Sequence, residues 1–382
     1  MKVLYTSERP PYPFFLGGAA RSAHYLLSLL VRDFGVEALA MGSKDFAPSR
    51  WSTPVSADFA ALGISGITKQ SDTISVDCGY PVRVQAEFRA SLQKAIEEYG
   101  PDVVWTQLDG VEEIVQIARD LGRKVVVFLR DAEDSPAKLK SLAQAGCCLI
   151  CNSQFMARRI KRITGKAARV IYPSLDTSFG VSGDPEGFVT MINPHRVKGL
   201  DTFIDIAKRL PNERLLLVES WALDEAGLTK LEKMLADVPN VRFLRRLPDV
   251  AEVYRQTKLL LVPSVWEEAF GRVVIEAQSC GIPVIASNRG GLPEAVGAGG
   301  VCVDAYTDVE AWIAAIRRVL DDIPSHNALA DRARLHASSA HFTPEHAARL
   351  FVDICQDERC FRIAPKARLR TWFGRFSSVA GR

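Results

Sequence analysis

Long hydrophobic runs are missing from this chain of 382 residues. No apolar stretch approaches the roughly 18–20 residues that a membrane-spanning helix needs. The first ten residues carry a charge at Glu8 and contain no apolar segment of the length typical of a signal peptide. We therefore expect a cytoplasmic protein whose first strand starts near Val3.

A strong excess of one charge is also missing, because 48 Lys and Arg residues nearly balance 45 Asp and Glu residues, for a net charge of +3. So small an excess gives no reason to expect a nucleic-acid partner. The segment 359–382 is basic, and aromatic residues interleave with its positive charges. This tail either packs or stays solvated, or it lies peripherally on an anionic membrane surface, which would be the inner face.

The eight cysteines do not form the pattern of a disulfide framework in a chain of this length. Cys148 and Cys151 have a CxxC spacing, but they lie inside the apolar run 147–151, with no second pair and no nearby histidine. We interpret them as free cysteines of a buried strand and not as a metal or redox site.

Strands and helices alternate along the chain in two successive series, which predicts an α/β fold with two Rossmann-like, doubly wound domains facing a cleft. The first domain covers residues 1–180 and the second covers residues 181–344. A segment rich in Asp, Ser, Gly and Pro, 174–187, fits a linker between them. Residues 345–382 are expected to form a further helix that crosses back to the first domain, followed by the basic tail.

The second series contains the stretch around which the prediction is organised, PSVWEEAFGRVVIEAQSCGIPVIASNRGGLPE at 263–294. A helix starting near Gly271 would direct its unpaired N–H groups at the cleft, where a phosphate is favoured. Glu268 precedes this helix start and Glu276 lies within the helix. Two carboxylates flanking an anion site suit a ligand with phosphates in the middle and a sugar at each end. The alternative is that these are solvated surface acids.

Within this stretch, Glu-Ala-Phe-Gly-x4-Glu-Ala at 268–277, Cys-Gly-Ile-Pro-Val-Ile-Ala at 280–286 and Gly-Gly-Leu-Pro-Glu at 290–294 resemble the signature of retaining glycosyltransferases of the group 1, or family 4, type with the GT-B fold. The resemblance implies transfer of a sugar from a nucleotide-diphosphate sugar to an acceptor hydroxyl, with retention of anomeric configuration. Such reactions serve the biosynthesis of glycans, glycolipids or natural products, so a glycan, a lipid-linked molecule or a small molecule is the expected acceptor.

The resemblance also implies roles for individual residues. Glu268 would hold the hydroxyls of the donor sugar, Glu276 the ribose, and Lys198 the diphosphate. Gly17 and Gly18, which end the first loop, would face the diphosphate from the opposite side of the cleft. The remaining donor-binding candidates are Asn193, Leu247, Ala269, Phe270, Gly271, Val273 and Val274.

This chain departs from the family pattern at two places. The family has an arginine five residues before its lysine, where this chain has Asn193, so either Arg196 supplies that charge or the site has one fewer cation. A histidine that contacts the donor sugar in the family is replaced by Arg130 and Asp131, which are candidates for sugar or acceptor contact. The same segment also fits a helix N-cap at Asp134 or Ser135.

No Asp-x-Asp pair stands where a predicted strand meets the cleft, so we expect neither a required metal nor another cofactor. Two other functional classes stay open. A sugar-nucleotide epimerase or a phosphorylase-like enzyme could use this fold, and so could a non-catalytic nucleotide-sugar-binding protein. The sequence does not identify the base, the sugar, the acceptor or the oligomeric state.

Overall fold

A computed structural model of the chain describes residues 1–46, 59, 62, 64, 66–70, 72–173, 179–247 and 249–361. These residues form two α/β lobes, each with parallel strands at the centre of its sheet. The prediction of two Rossmann-like domains is confirmed. Among the helices of this described part, none combines the length and the apolarity that crossing a membrane would need.

The described residues of the amino-terminal lobe form nine strands: β1 (Lys2–Thr6), β2 (Glu37–Ser43), β3 (Thr68–Gln70), β4 (Thr73–Asp77), β5 (Pro81–Gln85), β6 (Val103–Gln107), β7 (Lys124–Leu129), β8 (Cys148–Cys151) and β9 (Arg169–Val170). One sheet contains them in the order β3-β4-β5-β2-β1-β6-β7-β8-β9. Strand β4 pairs antiparallel with both neighbours, and the other pairings are parallel. The helices between these strands are α1 (Gly18–Phe34), α2 (Phe88–Tyr99), α3 (Val111–Asp120), α4 (Pro136–Gln144) and α5 (Gln154–Thr164).

The carboxy-terminal lobe has an all-parallel sheet formed by β10 (Phe188–Ile192), β11 (Leu215–Val218), β12 (Val241–Leu244), β13 (Thr257–Val262), β14 (Val284–Ser287) and β15 (Gly300–Val303). The strand order is β12-β11-β10-β13-β14-β15. Its helices are α6 (Leu200–Arg209), α7 (Glu225–Leu235), α8 (Ala251–Tyr254), α9 (Arg272–Ser279), α10 (Leu292–Val296), α11 (Val309–Leu320) and α12 (Ile323–Ala337). The order places β10 and β13 side by side, so the loops that follow them are neighbours.

A final helix, α13 (Pro344–Gln356), packs on the amino-terminal lobe although it follows the whole of the other lobe in sequence. The ring of Phe351 lies 5.1 Å from that of Trp105 on β6, and neither side chain is exposed. The helix therefore completes the core on one face of the amino-terminal sheet. Most of the basic tail, from residue 362 onward, lies outside the described residues, as does part of the predicted linker.

Strand β8 buries the cysteine pair at its two ends. Cys148 is 3% exposed and Cys151 is not exposed, and all eight cysteines are free. Burial raises the pKa of the Cys151 thiol to about 12, so this sulfur stays protonated at neutral pH. The pair therefore has the surroundings of core residues, in agreement with the sequence interpretation.

The structure also differs from the sequence prediction in a few elements. The loop predicted over 289–294 ends early, because α10 begins at Leu292, with Pro293 in its first turn, where proline's fixed φ favours a helix. The segment 43–80, whose mixed composition rich in Gly, Ser and Thr predicts no element, contains β3 and β4 among its described positions. Ser135 caps α4 and accepts a hydrogen bond from the N–H of Lys138 at 3.2 Å.

Candidate active site

The loop after β10 carries the predicted cations and is held in place by a glycine. Asn193 has a left-handed backbone with φ of 83°, and a single 3-10 turn covers Arg196–Lys198. Gly199 follows with φ of 91°. A Cβ atom at Gly199 would lie 1.9 Å from the carbonyl oxygen of Pro263, so only glycine lets the two loops pack backbone to backbone. This contact brings Lys198 beside the loop that follows β13.

Lys198 and Glu268 form a largely buried ion pair between these loops. The Nζ atom of Lys198 lies 2.6 Å from Oε1 of Glu268, and each side chain is 15% exposed. The hydroxyl of Ser264 donates a hydrogen bond of 2.7 Å to the same oxygen. A buried ion pair is favourable only when its charged atoms are close and well aligned, because both charges have lost most of their water. The residues nominated for the phosphate and for the sugar hydroxyls therefore contact each other.

Two tryptophan rings enclose the ammonium group of Lys198. Its Nζ atom lies 4.9 Å from the ring centroid of Trp221 and 5.0 Å from that of Trp266. The two centroids are 6.4 Å apart. A cation over an aromatic face is attracted by the ring quadrupole, by about 0.5–2 kcal/mol. The rings and Glu268 together fix the ammonium group at one point in the cleft.

The backbone of Glu268 depends on the glycine pair of the motif. The N–H of Gly291 donates to the carbonyl oxygen of Glu268 at 2.7 Å. A Cβ atom at Gly290, where φ is 58°, would approach the same oxygen to 2.3 Å. The Gly-Gly segment therefore shapes the loop that presents the carboxylate.

Helix α9 presents the second carboxylate of the motif. It begins at Arg272, after Gly271 with φ of 108°. Glu276, one turn later, accepts a hydrogen bond of 2.9 Å from the hydroxyl of Tyr254 and one of 3.2 Å from Nη2 of Arg272. Burial, with a further contribution from the charge of Glu276, raises the pKa of Tyr254 well above its ordinary value. The tyrosine hydroxyl therefore remains a donor that orients the carboxylate.

The amino-terminal lobe faces these groups with the start of α1 and a buried arginine. The carbonyl oxygen of Gly18 accepts a hydrogen bond from Nη1 of Arg272, which joins the two lobes across the cleft. Arg130 follows β7, donates to Oε1 of Gln107 at 2.5 Å and lies 3.8 Å from the ring centroid of Phe128. Burial lowers the pKa of Arg130 to about 9, so the guanidinium is still positively charged at neutral pH.

Two more contacts join the lobes beside the cleft. The hydroxyl of Ser153 donates to the carbonyl oxygen of Ala269 at 2.6 Å. The carboxylate of Glu294, in the last position of the motif, accepts the N–H groups of Gln154 and Phe155 at 2.8 and 3.1 Å. These N–H groups open α5, whose positive end favours a carboxylate. The motif therefore contributes to the contact between the lobes as well as to the cleft.

Between the lobes lie two adjoining hollows of about 440 and 300 Å³. Lys198 and Glu268 line the larger hollow, and Glu276 lines the smaller one. Gly18 and Arg272 belong to both walls, so one elongated cleft runs between the two carboxylates. Its shape suits a molecule with phosphates in the middle and a sugar at each end.

Most of the residues nominated from the sequence line this cleft. Those in the larger hollow are Gly17, Gly18, Arg130, Asp131, Asn193, Lys198, Glu268, Ala269, Phe270, Gly271 and Val273. Those in the smaller hollow are Gly17, Gly18, Leu247, Val273 and Glu276. The structure therefore brings residues from both lobes and from distant loops to one place.

Two nominated residues are not brought to the cleft. The side chain of Arg196 is 64% exposed, and its Nε atom pairs with Asp201 at 3.4 Å, so it does not supply the second cation expected there. Val274 is fully buried in the core of the carboxy-terminal lobe. Its N–H donates to the carbonyl oxygen of Gly271 at 3.0 Å and is therefore already used by the helix start.

Unpartnered amide oxygens contribute to the wall of the larger hollow. Asn152, after β8, and Asn193, after β10, are each 6% exposed. Among the described residues, neither Oδ1 atom has a hydrogen-bond partner. A buried amide without a partner is costly, and the hydroxyl groups of a ligand would satisfy these two.

Several residues of the cleft wall were not predicted from the sequence: Trp221, Tyr254, Trp266 and Arg272. The position of Arg272 could have indicated a bound anion, because a cation at the first position of a helix is unfavourable next to the positive end of the helix dipole unless an anion compensates for it. The tryptophans could have been found by position, since both follow the carboxyl ends of strands, where ligands bind in such sheets.

A family model described as "Glycosyl transferases group 1" matches residues 177–336. The matched segment includes every strand of the carboxy-terminal sheet and the whole motif at 263–294. It also includes the loop that carries Lys198, so both members of the ion pair lie within the match.

Curated relatives include D-inositol 3-phosphate glycosyltransferases. The protein from Mycobacterium marinum is 32% identical over 226 residues, which cover 52% of this chain and 46% of the relative. The protein from Corynebacterium kroppenstedtii is 34% identical over 176 residues, covering 42% of this chain and 38% of the relative. The match therefore spans less than half of each relative.

Solved structures with the same fold cover nearly the entire chain. HepE of Anabaena, in complex with UDP-glucose, has a TM-score of 0.70 at 19% identity and covers 92% of this chain and 98% of its own. Sucrose-phosphate synthase from Thermosynechococcus elongatus has a TM-score of 0.69 at 18% identity, with the same coverage. At this identity the likeness establishes the fold, and the predicted GT-B architecture is confirmed.

Proposed function

We propose, from the match of residues 177–336 to the model of the glycosyl transferases group 1 family, that the chain transfers a sugar from a nucleotide-diphosphate sugar to an acceptor hydroxyl, with retention at the anomeric carbon. The observation that carries the proposal is the elongated cleft. It has Lys198 and Glu268 at one end and Glu276 at the other, all within the family match.

In the proposed reaction, the bond between the anomeric carbon and the β-phosphate oxygen breaks, and the acceptor oxygen bonds to the same carbon. The nucleoside diphosphate leaves as an anion, and one of its oxygens takes up the hydroxyl proton. Stabilising the developing negative charge is the main demand on such a site. Lys198 and the positive end of α9 supply positive potential for it. Glu268 accepts hydrogen bonds from the donor sugar and Glu276 from the ribose.

The ion pair between Lys198 and Glu268 has a clear use in this scheme. A phosphate that enters the cleft competes with Glu268 for the ammonium group, and the freed carboxylate can then accept hydrogen bonds from sugar hydroxyls. The two tryptophan rings hold the ammonium group in place during this exchange, because their attraction to the cation does not depend on the carboxylate.

Turnover is proposed to need no metal ion, since cationic side chains of the chain itself line the cleft. Across the described residues, no group of three or more His, Cys, Asp or Glu side chains is arranged to hold one. Transfer measured with and without EDTA tests this point. An unchanged rate supports it, and a loss that Mg²⁺ or Mn²⁺ reverses contradicts it.

The names of similar proteins suggest which substrates to test first. HepE is described in complex with UDP-glucose, so uridine-diphosphate sugars are the first donors. The curated relatives are named for D-inositol 3-phosphate, which makes a phosphorylated polyol the first acceptor. Arg9 and Arg130 on the amino-terminal wall supply positive charge that suits a phosphate on the acceptor.

The proposal is tested in two stages. A panel of nucleotide sugars is first screened by thermal shift, because a ligand at 100 times its Kd stabilises the folded state by about 2.7 kcal/mol. Donors that bind are then incubated with candidate acceptors, and the product's anomeric configuration is determined by NMR. A product of retained configuration supports the proposal. An inverted product, or an isomerised nucleotide sugar without transfer, contradicts it.

A nucleotide-sugar-binding protein without catalysis is the second candidate. The neutral Asn193 stands where the family has a cation, and Glu268 neutralises Lys198 in the structure. Both observations favour a site with less positive charge than transfer requires. Tight donor binding with neither transfer nor hydrolysis, across the acceptor panel, would favour this candidate.

A further inference from the structure

We propose that Arg272 binds the diphosphate of the donor and supplies the cation that the loop after β10 lacks. The inference rests on the proposed function, since it names a further ligand-binding residue of the same cleft. The family resemblance did not nominate this residue, and its role follows from its position, its unused hydrogen-bonding capacity and the charges around it.

The position of Arg272 is the junction of the two hollows. Of the cationic side chains among the described residues, Arg272 alone lines both of them. The smaller hollow contains Glu276 and Leu247, which suit a nucleoside, and the larger one contains Glu268, which suits the donor sugar. A ligand that occupies both hollows must place its two phosphates at the junction, within reach of the guanidinium.

The hydrogen bonds of Arg272 leave part of its capacity unused. Nη2 donates to Glu276 at 3.2 Å and Nη1 donates to the carbonyl oxygen of Gly18. The Nε atom is buried and has no partner within the described part of the chain. A guanidinium carries five N–H donors in a planar fork that matches two phosphate oxygens at once. The side chain, 25% exposed, is therefore available to a ligand in the cleft.

The electrostatic surroundings of Arg272 also favour an anion. The residue occupies the first position of α9, where the helix dipole is positive, and the first turn of that helix contains no acidic residue. A cation at this end of a helix is unfavourable by itself, typically by about 0.3–1 kcal/mol. A phosphate between the helix start and the guanidinium would interact favourably with both.

The loop after β10 does not provide the second cation. Asn193 is neutral and buried, with an unpartnered oxygen, and Arg196 is exposed and paired with Asp201. Lys198 shares its charge with Glu268. The cleft therefore carries the positive charge of Arg272 at the junction of the two hollows.

Gly18 leaves the space that this arrangement requires. A Cβ atom at Gly18 would lie 3.0 Å from Nη1 of Arg272, which is closer than side-chain atoms normally approach. Glycine therefore allows the guanidinium to reach across from α9 to the start of α1. Because Arg272 also donates to the carbonyl oxygen of Gly18, a diphosphate bound to its guanidinium would lie where the two lobes meet.

The test measures the contribution of each phosphate to binding. Calorimetric affinities are measured for UDP, UMP and uridine, and for the guanine and adenine series, with the unmodified chain and its Arg272→Gln and Arg272→Lys variants. We expect Arg272→Gln to weaken the best diphosphate by at least about tenfold, the size of one charge-assisted hydrogen bond, with nucleoside affinity unchanged. The affinity of Arg272→Lys for the diphosphate should lie between those of the unmodified chain and Arg272→Gln, because lysine keeps the charge and loses the planar fork of donors.

The matched control is Arg318→Gln, which removes an exposed arginine of α11 far along the chain from the cleft and should leave every affinity unchanged. Circular dichroism and the unfolding midpoint establish that each variant is folded. Equal losses for nucleoside and diphosphate would overturn the proposal, because Arg272 would then act only by joining the lobes. An unaltered affinity of Arg272→Gln for the best diphosphate would also overturn it, as would a loss in Arg196→Gln without one in Arg272→Gln.

The same experiment separates this inference from the proposed function. If the unmodified chain binds no nucleoside diphosphate of any series, the proposed function fails and the role of Arg272 fails with it. If the chain binds a diphosphate and Arg272→Gln binds it equally well, only the role of Arg272 is refuted.

Discussion

At the scale of single residues, the cleft is a network in which one ammonium group contacts a carboxylate and two indole rings. Replacing Lys198 by Ala, or Glu268 by Gln, should lower the rate of sugar transfer by at least about 100-fold, as loss of a group that stabilises developing charge does in other enzymes. The measurement is kcat/KM for the donor found in the panel. Lys94→Ala, at an exposed Lys–Glu pair of α2, is the control and should retain activity. Near-normal rates in either cleft variant would contradict the assigned roles.

A second prediction concerns pH and His24, whose Nδ1 atom lies 2.8 Å from the hydroxyl of Tyr80 and whose ring stacks on Tyr12 with centroids 4.2 Å apart. Burial lowers the pKa of His24 to about 4. In the unfolded chain this residue takes up a proton below about pH 6.5, whereas in the folded chain it does so only near pH 4. Protonation therefore favours unfolding, and stability falls as the pH decreases through this window.

The variant His24→Gln isolates this contribution, because other histidines affect the unmodified chain and the variant equally. We expect its unfolding midpoint in urea to decrease less between pH 6.5 and pH 4 than that of the unmodified chain. If the unfolding midpoints of the two proteins decreased equally over this pH range, the lowered pKa assigned to His24 would be contradicted.

The sequence identified Glu268 and Glu276 as candidates because the motif around them is extensive, and Lys198 because the family resemblance implies a lysine in its loop, but it could not show their contacts. Lys198 and Glu268 meet only because β10 and β13 are neighbours in the sheet, which depends on the whole fold. Arg196 and Lys198 lie two residues apart in one turn, and only one of them enters the cleft. Spacing along a chain does not determine side-chain direction in so tight a turn.

At the scale of elements, the best-predicted strands are those with a continuous apolar run ended by a polar or turn-forming residue. Strands β7 and β11 are examples, because their apolar runs predict strands over 124–129 and 215–218 and the structure has the same bounds. The edge strand β3 and its neighbour β4 gave no such signal, because their residues are mostly exposed or half-exposed and polar. Helix α12 was missed because its buried face consists largely of alanine, which leaves a faint apolar periodicity.

The turn before α6 provides a prediction about one glycine. Gly199→Ala must displace the backbone of Pro263, because its Cβ atom would overlap the carbonyl oxygen, whereas Gly165→Ala has the same left-handed conformation with no atom within 4 Å. The control, Gly165→Ala, should lower the unfolding free energy by about 1–2 kcal/mol, which is the cost of the left-handed conformation for an L-residue. We expect Gly199→Ala to lower the unfolding free energy, measured with urea, by more than the control does. It should also lose donor binding. Equal losses would contradict the close packing of the two loops.

At the scale of the whole molecule, the lobes are joined at two positions of the motif, by Arg272 and by Glu294. The carboxylate of Glu294 also accepts a hydrogen bond of 2.5 Å from the hydroxyl of Tyr172, in addition to its two N–H donors on α5. Glu294→Ala removes three partners at once and should lower the unfolding free energy by about 1–3 kcal/mol. It should also increase the radius of gyration measured by X-ray scattering, since the lobes lose a contact.

The matched control for this contact is Glu232→Ala, which removes an exposed carboxylate of α7. It should change neither quantity. A change of the same size in both variants would mean that Glu294 does not join the lobes.

The return of α13 to the amino-terminal lobe leads to a prediction about its core. Phe351→Ala should lower the unfolding free energy by about 3–5 kcal/mol, the usual range for a fully buried phenylalanine. Its loss should be visible in the fluorescence of Trp105, which it contacts. Leu335→Ala, at a side chain that is 73% exposed, is the control and should have little effect. An unchanged unfolding free energy in Phe351→Ala would contradict the packing of this helix.

This helix also constrains the order of events during biosynthesis. The ribosome must translate the entire carboxy-terminal lobe before α13 emerges, so the nascent amino-terminal sheet has to wait with an uncovered apolar face. Exposed surface of this kind attracts chaperones or other nascent chains. The carboxy-terminal lobe has no such wait, because the helices that cover its sheet lie in the same continuous segment as its strands, and we expect it to reach its final form on the ribosome first.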